Sequence, residues 1–199
     1  MRRLTAACSF ALLAFVASAS PALAAKVEVT RFHTPATIAQ LGRAVVAVVP
    51  APGTDTASLE NRVWLAAVER ALAAPGFALA TPGTAQMVAE VRAERRTWKP
   101  ERRRGGVDVG VGGSTGSYGS GVGLGIGINL GGGPAEQTES RLSVVIRDKA
   151  SGQPLWEGRA VQVVKTKSRD SDPDRAAAKL ANALFAGFPG RSGDTITVK

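Results

Sequence analysis

The sequence predicts an α/β fold: a two-layer sandwich of one mixed β-sheet with two helices on one face, in the order β-β-α-β-β-(Gly-rich hairpin)-β-β-α. Three observations carry this reading. Residues 85–98 alternate apolar and polar side chains with a period of two. Residues 58–74 and 174–187 repeat apolar side chains at helical spacing. A continuous apolar run at 44–49, the first of those helices and a short apolar segment at 77–80 have the form of a right-handed βαβ crossover, which makes the sheet mixed.

Each element has its own signal. Residues 27–32 (V-E-V-T-R-F) alternate and read as a strand. The run 44–49 (A-V-V-A-V-V), ended by Pro50 and Pro52, fits a strand buried on both faces. In the first helix Leu59, Val63, Ala67 and Ala71 fall at i, i+4, with Trp64, Val68 and Leu72 on the adjacent row, and Pro75-Gly76 stops it. Along 85–98, Met87, Ala89, Val91 and Ala93 share one face, opposite Gln86, Glu90, Arg92, Glu94 and Arg96. Residues 141–148 and 155–164 form a further strand pair, joined by D-K-A-S-G with Gly152 at the positive-φ position. The last helix has Asp172 as cap, Pro173 at its first position and Asp174 in its first turn. Its stripe is Ala177, Leu180, Ala181, Leu184 and Phe188, and Gly187 and Pro189 end it. Residues 191–199 read as a loose tail or a short edge strand.

Residues 105–133 are rich in glycine but ordered in pattern. Val107, Val109 and Val111, then Val122, Leu124, Ile126, Ile128 and Leu130, alternate with glycine or short polar residues around a G-G-S-T-G-S-Y-G-S-G loop. That is a hairpin with one apolar face and one nearly bare face. Three readings fit it: a flexible hairpin or loop, strands that extend the sheet, or a hairpin that enters a membrane on assembly.

The first 24 residues carry a targeting pattern. Arg2 and Arg3 precede an uncharged apolar stretch, and Ala22-Leu23-Ala24 is an A-x-A cleavage site. The stretch is shorter than the roughly 20 residues a membrane helix needs. The chain is therefore organised as a cleavable signal peptide at 1–24, one domain at 25–190 with the insert 105–133, and a tail at 191–199. Cys8, the single cysteine, leaves with the signal peptide, so the mature chain has no thiol for a disulfide, metal site or nucleophile. The net charge is +9, of which Arg2 and Arg3 supply two. A basic exported protein meets anionic lipid, lipopolysaccharide or another envelope protein, and oligomers are compatible with this; the export signal argues against nucleic acid as a partner.

No catalytic or cofactor motif survives inspection. Gly112-Gly113-Ser114-Thr115-Gly116 matches G-x-S-x-G, but no helix follows and the sole histidine, His33, lies upstream. The G-x-G repeats lack the helix that a dinucleotide site requires. His33 reads as a surface loop residue, since one imidazole does not make a zinc site. The sequence thus predicts no enzyme activity, no cofactor and no metal.

What stands out is charge. Arg95, Arg96, Lys99, Arg102, Arg103 and Arg104 surround Trp98. The strand at 85–98 runs toward the insert, the next runs away and the third returns, so Lys165, Lys167 and Arg169 end at the same pole. These ten residues form a candidate anionic-surface site, against the plainer reading of a solvated strand edge.

The strand pair, the V-x-V/G-x-G insert, the segment L-S-V-V-I-R-D-K-A-S-G-Q-P-L-W-E-G-R-A (142–160) and the closing Phe188-Pro189 together resemble the bacterial envelope family known as domain of unknown function 4136. The resemblance covers most of the mature chain and centres on D-x-x-[ST]-G-x-x-[LI]-W-x-G. It implies an envelope protein with no assigned catalytic residues. Members are often lipoproteins, and this chain departs from that in having no usable lipobox at Cys8. Trp156 reads as a core residue and Gly158 as a bulge or close backbone contact.

The expected function is a non-catalytic binding module at the membrane surface, periplasmic or outer-membrane associated. The alternatives are a subunit of an oligomeric assembly that uses the glycine-rich hairpin, or a periplasmic hydrolase. N-terminal sequencing of the exported protein should begin at Ala25; retention of Met1-Arg2-Arg3 would exclude a cleaved signal.

Overall fold

The computed structural model describes residues 25–42, 45–100 and 135–199. The signal segment 1–24, the whole glycine-rich insert 105–133 and Arg102, Arg103 and Arg104 lie outside the described residues. Seven strands form one mixed sheet: β1 (Val27–Phe32), β2 (Val45–Pro50), β3 (Ala78–Leu79), β4 (Met87–Trp98), β5 (Gln137–Asp148), β6 (Pro154–Lys165) and β7 (Thr195–Val198). Their spatial order is β3-β2-β4-β5-β6-β1-β7. β2 is parallel to both β3 and β4, and every other pairing is antiparallel. Three helices accompany the sheet: α1 (Pro35–Leu41), α2 (Leu59–Leu72) and α3 (Pro173–Phe185).

The predicted α/β architecture with a mixed sheet is present, and two differences have local causes. Helix α1 was not expected. Seven residues are too few for a periodic signal, and its start is set by side-chain capping. Thr34 Oγ1 accepts from the Thr37 amide at 3.1 Å, Thr37 Oγ1 accepts from the Thr34 amide at 3.0 Å, and Pro35 opens the first turn. Strand β5 begins four residues before the predicted 141. Its early helix-side positions, Thr138 and Ser140, are polar yet buried, which hides the strand from an apolar pattern. Residues 195–198 form the edge strand β7 beside β1, the second of the two forms the tail was expected to take.

The helix layer packs on one row of each strand. Ala89, Val91 and Ala93 of β4 meet Ile146, Val144 and Leu142 of β5 in this row, and Trp156 and Ala160 continue it on β6. Helix α2 contributes Trp64, Ala67, Val68, Ala71 and Leu72 to the core, whereas Leu59 is 71% exposed, so the working stripe is centred on Trp64, Val68 and Leu72. Helix α3 buries Ala177, Leu180, Ala181 and Leu184 as its spacing predicts, and Asp172 Oδ1 accepts from the Arg175 amide at 3.2 Å. Val46 and Ala47 are both buried, whereas Val45, Val48, Val49 and Pro50 are half-buried, so the two-sided burial expected of this strand holds only near its start.

Gly158 explains how close α3 comes to the sheet. A Cβ at this position would overlap the Trp156 indole and lie 2.8 Å from a Leu184 methyl. The indole fills that space, stacks on Phe185 at 5.4 Å between centroids and meets Phe188 at 5.2 Å. Its Nε1–H donates to the Pro189 carbonyl at 3.0 Å.

One buried charge closes the same C-terminal end of α3. Arg31 lies in the same β1 row as Val27 and Val29 and is 4% exposed. Its Nε donates to Leu184 O at 2.9 Å, and its Nη2 donates to Ala183 O at 3.0 Å and Ala186 O at 2.8 Å. These are carbonyls at the helix C-terminus, where the dipole favours a cation. Burial pulls the guanidinium below its usual pKa, so the site holds a charge at a cost in desolvation. His33, in the β1–α1 loop, is half-buried and bonds Gly190 O through Nε2 at 3.1 Å.

Two substitutions test this packing by chemical denaturation. Leu184→Ala should cost about 2–5 kcal/mol, the range for a buried leucine. A loss under about 0.5 kcal/mol would mean that α3 is not packed as described. Arg31→Met should cost about 1.5–3 kcal/mol, because it strips charge-assisted bonds from three helix-end carbonyls; an unchanged midpoint would show that water serves them equally well.

Candidate functional site

The sheet register assembles the basic pole. Trp98 on β4 sits opposite Gln137 on β5, which sits opposite Lys165 on β6. The C-terminal ends of β4 and β6 therefore point the same way, one strand apart. The chain leaves β6 through a tight turn in which the Ser168 amide donates to Lys165 O at 2.8 Å and Ser171 Oγ donates to Thr166 O at 2.6 Å. The 3₁₀ turn Arg169–Ser171 follows and leads into α3.

Strand parity divides the basic residues. Arg95 follows Ala93 on the helix side. Its guanidinium donates to Ser171 O and pairs with Glu60 of α2 at 3.3 Å, leaving the side chain 23% exposed. Arg96 lies on the opposite, open face. It is 72% exposed, pairs with Glu139 at 3.3 Å and stacks over the Trp98 ring at 5.4 Å. Trp98 is half-buried. Lys99, Lys165, Lys167 and Arg169 are exposed, and among the described residues none of the four has a carboxylate within 4 Å. Asp170, in the same turn, is engaged by Lys179 at 3.3 Å and by the Ala25 amide at 3.3 Å. The partners Glu60, Glu139 and Ser171 were not foreseen, because they lie far from the arginines in the chain and only the fold brings them together.

The open face of the sheet is a second feature. Ala51 and Pro52 wall one side of a shallow groove of about 720 Å³. Its floor carries Glu28, Glu90, Glu94 and Glu157 beside Arg92, Arg141, Arg147 and Arg159, so charge is balanced four to four. Arg147 pairs with Glu90 at 3.0 Å, Arg141 with Glu139 at 2.8 Å, and Arg159 with Glu157. The groove therefore does not extend the positive field of the pole. Among the described residues no three His, Cys, Asp or Glu side chains converge as a metal site, and no helix is long and apolar enough to cross a membrane.

At the other pole the turn between β5 and β6 has the geometry read from the sequence. Gly152 has φ +71°, and Asp148 Oδ1 accepts from the Ser151 amide at 2.8 Å and its hydroxyl at 2.7 Å. The Ser151 hydroxyl and amide hold the Asp148 carboxyl below its usual pKa. This half of the D-x-x-[ST]-G-x-x-[LI]-W-x-G segment shapes a turn, and the other half, Trp156 and Gly158, fills the core.

Known proteins place the chain by family and fold. An uncharacterized protein of Zymomonas mobilis subsp. mobilis is 38% identical over 65 residues, which span 33% of this chain and 24% of that protein, so the chain matches about a quarter of that relative's length. A PDZ domain protein from Parabacteroides distasonis superposes with a TM-score of 0.50 at 12% identity, over 87% of this chain and 39% of that one, a likeness of fold. The PelC dodecamer from Paraburkholderia phytofirmans superposes with a TM-score of 0.46 at 16% identity, over 83% of this chain and 99% of that one. The profile of the domain of unknown function DUF4136 matches residues 31–190, from the buried Arg31 to the Gly190 that packs on it, and the chain belongs to that family.

Proposed function

We propose that this protein is an exported, non-catalytic envelope module whose basic pole engages an anionic membrane surface. The observation that supports it is the register Trp98–Gln137–Lys165, which gathers Lys99, Lys165, Lys167 and Arg169 at one end of the sandwich with no carboxylate in reach among the described residues. Arg96 and Trp98 add a stacked cation and aromatic ring beside them. Arg95 holds Glu60 and Ser171 and contributes to the scaffold instead. Arg102, Arg103 and Arg104 follow β4 in the chain and extend the basic run. The cleavage pattern at Ala22-Leu23-Ala24 supports delivery to the envelope.

The energetics are sufficient for reversible binding. A basic residue near an anionic leaflet contributes about 1 kcal/mol, within a Debye length of roughly 8–10 Å. Four acting together would give about 4 kcal/mol, close to a thousandfold in partitioning. The mature protein should sediment with anionic vesicles at low salt, much less with zwitterionic ones, and release steeply as salt rises. The triple variant Lys99→Ser, Lys165→Ser, Lys167→Ser should lose at least about tenfold in partitioning while keeping its circular dichroism. Equal sedimentation of the native protein with both vesicle types at low salt would overturn the proposal.

A further inference from the structure

We propose that the row Arg95–Ser140–Gln162 is a hydration site, in which one ordered water joins the guanidinium, the hydroxyl and the amide carbonyl. The three residues lie side by side on β4, β5 and β6 in direct register. They occupy the helix side of the sheet, one step beyond the row Ala93–Leu142–Ala160. Ser140 is fully buried and Gln162 is 1% exposed. Arg95 Nε, Ser140 Oγ and Gln162 Oε1 are buried and have no hydrogen-bond partner among the described residues.

The bonds these side chains do make fix what remains. Gln162 Nε2 donates to Asp170 O at 2.6 Å, so the amide orientation is set and Oε1 is left as an acceptor. The Arg95 terminal nitrogens are taken by Ser171 O and Glu60, so Nε–H is left as a donor. Ser140 Oγ can serve as either. Strands lie about 4.8 Å apart, so two long side chains flank a short one, and the register brings one donor, one acceptor and one hydroxyl side by side. A water accepts from Nε–H, donates to Oε1 and exchanges its third bond with Oγ, the three contacts typical of a buried water. An anion would face the Gln162 carbonyl, and a cation would face the guanidinium. Both Asp170 O and Ser171 O belong to the turn that carries Arg169, so the water would complete the tie between that turn and the sheet. This inference stands on the core alone and does not depend on the surface reading.

A crystal structure of the mature protein at about 1.5 Å resolution tests it. The expected result is a solvent peak about 2.7–3.2 Å from Arg95 Nε, Ser140 Oγ and Gln162 Oε1. Ser140→Val, which replaces the hydroxyl with a methyl group and adds a second, should abolish the peak. In solution the native protein should show a magnetisation-transfer signal between the Ser140 amide proton and long-lived water, lost in the same variant. If the variant does not fold, the native crystal decides alone. A native structure in which Ser140 Oγ bonds both neighbours directly, with no peak, overturns the proposal. So does a peak that gains anomalous signal in bromide-grown crystals, because it would be a halide.

Discussion

Arg31 is a positive charge taken out of water with no carboxylate paired to it among the described residues. Such a group survives in a core only when its neighbours supply dipoles, and here α3 supplies three carbonyls at its negative end. The requirement runs both ways. Helix α3 must stop where it does for those carbonyls to be free, and β1 must lie against its end for the guanidinium to reach them. Gly190, at φ +79°, then passes so close that a Cβ would come within 2.6 Å of Arg31. The same strand's backbone holds β7, with Arg31 O accepting from the Gly193 amide at 2.8 Å. The first strand thus shares one anchor with the end of the last helix, more than 150 residues further along the chain, and with the terminal strand that follows it.

The sequence made some of this legible and concealed the rest for definable reasons. Elements whose signals are local were readable: the Asp172-Pro173 start of α3, the alternation along β4 and the Asp148–Gly152 turn. Features that depend on a distant partner were not. In V-E-V-T-R-F, Arg31 sits at an inward position by parity, yet an arginine there looks like an exposed residue until a helix end is known to face it. Thr138 and Ser140 look like loop residues for the same reason, since their burial is offset by a polar row across three strands and not by apolar packing.

The basic pole shows a similar division. Strand direction alone was enough to bring the ends of β4 and β6 together, because two antiparallel reversals return the chain to the same side. Direction does not say which side chains turn outward. Parity does, and it separates Arg95 from Arg96 although the two are adjacent. One joins α2 and the 3₁₀ turn to the sheet; the other lies over an indole in solvent. Density of arginine in a sequence is therefore a poor measure of surface charge, and the alternating rule must be applied before residues are counted into a site.

The balanced ladder of glutamates and arginines on the open sheet face has a geometric consequence. A face whose charges cancel within a few ångströms produces a field that dies away quickly, whereas like charges gathered at one end produce one that persists to the screening length. Among the described residues the groove on the open sheet face is thus balanced in charge, while Lys99, Lys165, Lys167 and Arg169 lie toward one end of the strands. A charged plane would exert a turning moment on such a body, bringing it upright on its end with the sheet edge-on. The long β4–β5–β6 ribbon would then act as a post, carrying the Asp148–Gly152 turn to the height farthest from the plane.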